Sequence, residues 1–262
     1  MLAVGISCPG FIHENGLVTA VNLGWRKFPL SEKLQEATSL PFFLCTACRA
    51  YILAERRLGR AQGCDHCIYI EAGKGIGAGI VAGGKYLEGR DHMAGELGHM
   101  TVEPGATDPC NCGKSGCLEA IASSSAIVRQ YCAALGAVSR DHVRLNHIFE
   151  RAREGDSLAL AIIERASKAL ALGISHMVML FNPAMIILGG DLLQGEDLLL
   201  PRIQRELAAQ LPDFTEQTEL TVTGLGLDIG LKGAAFLAFQ NAVNNAELMR
   251  KLFAPLAETT TA

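Results

Sequence analysis

The chain has 262 residues and a formal net charge of −4, with 49% hydrophobic and 19% charged residues. That composition suits a soluble globular protein that buries one large core or two modest ones, and it excludes a disordered chain. The negative balance excludes a free-standing nucleic-acid-binding module, which would be basic. Nine cysteines without a positively charged leader in MLAVGISCPG fit a reducing cytoplasm. The longest apolar window, residues 176–190, is broken by Asn182-Pro183 and by glycines, so it is not a membrane span.

Residues 2–7 read as a strand entering the turn Pro9-Gly10. Residues 31–38 read as a short helix capped by Ser31, with a glutamate soon after. A short strand at 41–44 is followed by helical spacing from Arg49 to Leu58. Cys67–Glu71 and Ile76–Ile80 read as consecutive strands, the second running into a hairpin turn at Gly83-Gly84. Helices are expected over 123–134, 146–154 and 157–180, the last stopped by Asn182-Pro183. A buried strand at 185–188, a helix at 197–211, a strand at 220–222 and one final helix at 233–248 complete the pattern. Alternating strands and helices imply an α/β fold with largely covered sheets.

The segment from Gly95 to Glu119 carries the chemistry. Cys110, Cys112 and Cys117 stand close together, and His99 lies eleven residues before the first of them. Three thiolates and an imidazole form the closed Cys₃His set of a structural zinc ion. Gly113 and Gly116 supply the left-handed conformations that such a tight loop needs. A disulfide suits this spacing poorly, because cysteines one residue apart pair badly and three leave one over. Buried cysteines without a ligand are the alternative. The CxxC pairs Cys45/Cys48 and Cys64/Cys67 read as free thiols rather than redox or metal sites. Trp25 suits either a ligand cleft or a packed core.

GELGH followed by CxCGxxGCLE resembles the signature of the ROK family of repressors and sugar kinases. GISCPGFI, VNLGW, ILAERRLG, GKGIGAGIVAGGKYLEG, IILGGDL and GLKGAAFLA resemble its other segments, in the family's order. The resemblance implies an α/β actin-like, hexokinase-like ATPase-type two-lobed fold with a zinc-binding loop. Residues 1–60, with helix 240–258 packing back on them, would form a partial N-terminal lobe. Residues 61–239 would form the C-terminal lobe. Family kinases carry an Asp-Gly-Gly-Thr loop before the segment at which this sequence starts, and the repressors carry a winged helix-turn-helix further upstream. The first lobe is therefore expected to be incomplete.

The same resemblance implies the site. Asn22, Glu96, His99 and Glu119 would contact sugar hydroxyls, with His99 also a zinc ligand. Gly73, Lys74, Gly75 and Gly77 would form a phosphate loop in which Lys74 stands at the kinases' threonine. Alignment through Ala54-Glu55 puts Thr46 and Ala47 where the kinases have Asn-Asp. Alanine cannot accept a proton, so the catalytic base is missing. The expected function is the sugar-binding effector and oligomerisation domain of a ROK-type regulator, acting as a homodimer or tetramer on a sugar or sugar phosphate. DNA would be reached only through a winged-helix segment. The alternative is a ROK sugar kinase using ATP and magnesium on a hexose or N-acetylhexosamine.

Overall fold

The computed structural model describes residues 3–20, 23–136, 143–212 and 218–253. Contacts divide the chain into two compact units. The first takes in the described residues of Met1–Gly63, Glu88–Met93 and Gly224–Ala262; the second takes in those of Cys64–Leu87 and Ala94–Thr223.

In the first unit, β1 (Val4–Cys8) and β5 (Phe42–Thr46) pair in parallel, from Val4 opposite Phe42 to Cys8 opposite Thr46. Helix α2 (Ala47–Leu58) leaves β5 without a loop. Its first turn is capped by Thr46, whose hydroxyl accepts from the Arg49 N–H at 3.4 Å. Helix α8 (Ile229–Asn244) packs on β1, β5 and α2. The approach is close: a β-carbon at Gly233 would stand 1.8 Å from the Ala50 carbonyl oxygen, so only glycine fits there.

Three features of this unit differ from the sequence expectation. β2 (Phe11–Ile12), β3 (Val18–Ala20) and β4 (Trp25–Phe28) form an antiparallel sheet that sequence reading missed. Strands of two to four residues are too short for alternation to register. Trp25 stacks on Phe28 with ring centroids 4.4 Å apart, so its neighbour is another aromatic of the same strand. Helix α1 (Leu30–Ala37) starts from Pro29 and has no side-chain cap; Ser31 lies inside it. The expected final helix is two helices, α8 and α9 (Ala246–Phe253). Asn245 between them is extended, and its side-chain oxygen accepts from the N–H groups of Glu247 (3.0 Å) and Leu248 (3.1 Å). An asparagine offering this bond starts a new helix rather than continuing the old one.

The second unit is built on a five-stranded sheet ordered β10-β9-β6-β7-β8, formed by Glu219–Val222, Met185–Gly189, Cys67–Ala72, Ile76–Ala82 and Lys85–Tyr86. β6, β9 and β10 run parallel, and β7 returns antiparallel to β6. The central strands read as unbroken apolar runs because both faces are covered. Ile68, Ile70 and Ile186 are fully buried with Leu170 and Ile174 of α6 (Ser157–Phe181) and Ile203 of α7 (Glu196–Gln210). Helix α6 begins at Asp156, whose carboxylate accepts from the Ala159 N–H at 2.9 Å. It ends at Asn182 in the left-handed region, before Pro183, where the sequence placed its stop. Helices α3 (Leu118–Ala122), α4 (Ser124–Ala134) and α5 (Leu145–Arg153) complete the unit. No helix among the described residues is long and apolar enough to cross a membrane.

Candidate functional site

The chemistry-bearing residues of the second unit gather where β7 meets the segment from Gly95 to Glu119. Gly95 joins β7, its carbonyl accepting from the Ala78 N–H at 2.7 Å. The chain then makes one tight 3-10 turn, Leu97–His99, anchored by buried Leu97. This turn lies directly on β7: a β-carbon at Gly98 would sit 2.3 Å from the Ile76 carbonyl oxygen and 3.2 Å from the Glu119 β-carbon. Glu119, in the first turn of α3, has its carboxylate accept from the Ile76 N–H at 3.0 Å. Strand, 3-10 turn and helix thereby converge on Glu96, His99 and Glu119.

Burial first, and the neighbouring Glu119 carboxylate second, push Glu96 up to about 7. The Glu96 carboxylate lies 3.8 Å from His99 Nε2. The other ring nitrogen, Nδ1, faces the Cys110 sulfur at 3.5 Å. The Cys112 and Cys117 sulfurs are 3.7 Å apart. His99, Cys110 and Cys112 place their ligand atoms within 4.8 Å of one another and could hold a metal ion. Gly113 and Gly116 have φ of 89° and 70°, as a tight loop requires. The loop closes through Cys110 N–H to Lys114 O (2.9 Å), Gly113 N–H to Cys110 O (3.0 Å) and the Lys114 ammonium to His99 O (2.9 Å). Burial pushes the Cys110 thiol up to about 12. Burial alone would raise Cys112 too. Hydrogen bonds from the Lys114 backbone, Cys110 and Cys117 outweigh it and lower that thiol.

The glycine-rich turn lies between β6 and β7. Gly73 N–H donates to Gly75 O (3.0 Å), and Ser124 N–H donates to Gly73 O (2.8 Å). Lys74 is exposed, and Gly77 sits within β7 opposite Glu71. Two carboxylates flank this turn. Measured from where a β-carbon on Gly73 would stand, the Glu71 carboxylate lies at 3.0 Å and the Asp191 carboxylate at 3.8 Å. Burial pushes Glu71 up to about 7, against the Tyr69 hydroxyl that donates to it at 3.3 Å, and Asp191 adds to the rise. The Ser124 hydroxyl reaches Asp191 at 3.5 Å. Sequence reading missed Glu71 and Asp191. Each is a lone charge at the end of an apolar strand beside glycines, a signal that marks a strand end without naming a role.

Other candidates fall as follows. Ala47 is the first residue of α2, directly after β5. Asn22 lies outside the described residues. Cys45, Cys48, Cys64 and Cys67 form no disulfide, and the Cys64 thiol donates to His66 O at 3.3 Å. His92 pairs with Glu88 at 3.2 Å, and Glu88 also accepts from Arg49.

Known proteins resemble this chain over most of its length. The chain is 38% identical to a glucokinase of Thermotoga maritima over 88% of its own length and 77% of that protein. It is 32% identical to the DNA-binding transcriptional dual regulator NagC of Escherichia coli over 96% of its length, and spans 63% of that longer protein. Among solved structures, a ROK family glucokinase from Streptomyces griseus in complex with glucose and AMPPNP superposes with a TM-score of 0.79 at 32% identity, covering 91% of this chain and 81% of that one. The fold is thus the α/β, actin-like fold of sugar kinases. The family description "ROK family" matches residues 1–241, and the chain belongs to that family.

Proposed function

We propose that this chain is the sugar-binding effector and oligomerisation region of a ROK-type transcriptional regulator, holding a structural zinc ion and lacking a catalytic base. The observation that carries the reading is Ala47. At the junction of β5 and α2, where the family resemblance calls for a proton-accepting aspartate, stands a methyl group. Glu96 and Glu119 are the groups to accept hydrogen bonds from sugar hydroxyls, which carboxylate oxygens do well. Lys74, with Gly73, Gly75 and Gly77, is the place for a ligand phosphate. The acidic flank of Glu71 and Asp191 weighs against a polyphosphate there.

His99 Nδ1 and the sulfurs of Cys110, Cys112 and Cys117 would hold the zinc. Zinc bonds of about 2.3 Å to sulfur and about 2.0–2.1 Å to nitrogen give tetrahedral edges of about 3.8 Å between sulfurs and about 3.6 Å between sulfur and nitrogen. The 3.7 Å Cys112–Cys117 and 3.5 Å His99–Cys110 separations match two of these edges, and His99, Cys110 and Cys112 form the group whose ligand atoms lie together. When bound, zinc supplies a rigid cross-link that fixes the loop beside Glu119. His99 would then keep Nε2 for Glu96 or a ligand hydroxyl. A sugar acts by differential affinity for two states of the regulator. A homodimer or tetramer belongs to this reading, with DNA contacted through a winged-helix segment.

The second reading is a sugar kinase using ATP and magnesium. It is favoured by the higher identity to the glucokinase than to NagC, 38% against 32%. Calorimetric titration of the zinc-loaded chain with hexoses, N-acetylhexosamines and their 6-phosphates, without ATP, tests the first reading. Saturable binding is expected, with no sugar-dependent ATP consumption when ATP and magnesium are supplied in a separate turnover assay. ATP consumption that depends on sugar would establish the kinase, and silence across the panel would refute sugar sensing.

A further inference from the structure

Arg165, on α6, is not part of the metal group, yet it holds the loop that carries that group. All five N–H positions of its guanidinium find acceptors. Nε donates to Glu103 at 3.0 Å and Nη2 donates to the other Glu103 oxygen at 2.6 Å. Nη2 also donates to Asp108 at 2.6 Å, and Nη1 reaches the second Asp108 oxygen at 3.4 Å. Nη1 donates at 2.9 Å to the side-chain oxygen of Gln130. Gln130 in turn donates at 2.8 Å to the Ile121 carbonyl of α3, the helix that carries Glu119.

The two carboxylates sit at defined places in the loop. The Glu103 N–H donates to Gly116 O at 3.2 Å, and the Gly116 N–H donates to Asp108 O at 3.2 Å. Thr101 bridges to Cys117, and Pro109 bridges to Ser115. Glu103 is therefore registered against the residue before Cys117, while Asp108 lies two residues before Cys110. One planar cation gathers the segments that lead to both cysteines. Without it, two like charges held side by side would push those segments apart. An ordinary surface ion pair contributes little. A guanidinium making a fork with each of two carboxylates is geometrically specific, and a lysine cannot reproduce it.

We propose that Arg165 is a positioning residue for the metal group, pre-setting the spacing of Cys110 and Cys117 before the ion binds. Ordering the loop in advance removes part of the entropy cost of binding, which appears as affinity. The proposal rests on the zinc reading above. Its test is zinc affinity, by competition with a chromophoric chelator, for the wild-type chain, Arg165→Gln and Arg165→Lys, with the melting temperature of each metal-free form measured alongside. Removal of such a supporting partner weakens metal binding by about 10-fold or more, and that is the expected loss for Arg165→Gln. Arg165→Lys, which keeps the charge but not the fork, should also bind more weakly than wild type. It carries the test if Arg165→Gln does not fold. A residue that merely stabilised the fold would lower the metal-free and zinc-loaded melting temperatures equally and leave affinity unchanged. Unchanged affinity in a folded variant overturns the proposal. A wild-type chain that takes up no zinc overturns the metal reading itself, a separate result visible before any variant is made.

Discussion

Gly98→Ala isolates the contact on which the site's geometry depends. Gly98 is not among the positive-φ glycines, so alanine brings no backbone strain there and the perturbation is steric alone. The new methyl would stand 2.3 Å from the Ile76 carbonyl oxygen and 3.2 Å from the Glu119 β-carbon, where ordinary contact begins at 3.4 Å. The 3-10 turn must move about 1 Å from β7 against a backbone carbonyl fixed in a sheet, so the cost falls at the upper end of overpacking, about 3 kcal/mol. At about 2–4 °C per kcal/mol for a chain of this size, the melting temperature should drop by roughly 6–12 °C. The same displacement pulls Glu119 from the Ile76 N–H and shifts His99 relative to Cys110. Zinc affinity and sugar affinity should therefore fall together with stability. Thermal unfolding with and without zinc, and calorimetry with the sugar that binds wild type, measure all three. A variant melting within about 2 °C of wild type, with both affinities intact, would refute the reasoning that this contact sets the site.

Three further outcomes are expected. Chelation should lower the melting temperature of the zinc-loaded chain and Cys112→Ser should do likewise, because metal binding to a group absent from the unfolded chain adds to folding stability; equal melting curves would count against a structural metal. Asp156→Ala should cost about 1 kcal/mol in denaturant unfolding, because it removes the carboxylate that caps α6. Glu71→Gln should raise the melting temperature at pH 8 and change it little at pH 4. The Glu71 pKa is raised to about 7 by burial and Asp191, so its favourable contribution is complete below the ordinary carboxylate range and lost as pH rises through 7. A variant with the wild type's pH dependence would exclude Glu71 as the titrating group.

Much of this protein was legible in its residues because the signals are local. Of the four expected ligands, His99, Cys110 and Cys112 form a group that could hold a metal ion, and the ROK resemblance of GELGH and CxCGxxGCLE holds over the matched length. The long strands and helices of the second unit follow from apolar runs and from stops such as Asn182-Pro183. The short strands β2–β4 and the break at Asn245 were not legible. The strands pair too briefly to leave a periodic trace, and the break depends on one side chain finding two N–H groups.

The sequence by itself determined which chemical groups exist: an alanine at position 47, three cysteines and a histidine at close spacing, and two glutamates in the family motif. Tertiary structure decided what those groups meet. Glu71 and Asp191, 120 residues apart in the chain, flank one turn, and Arg165 gathers Glu103 and Asp108 around the cysteine loop. Residue type and spacing are properties of neighbours along the chain. Charge pairing, burial and the pKa shifts they cause depend on distances that only the folded chain fixes.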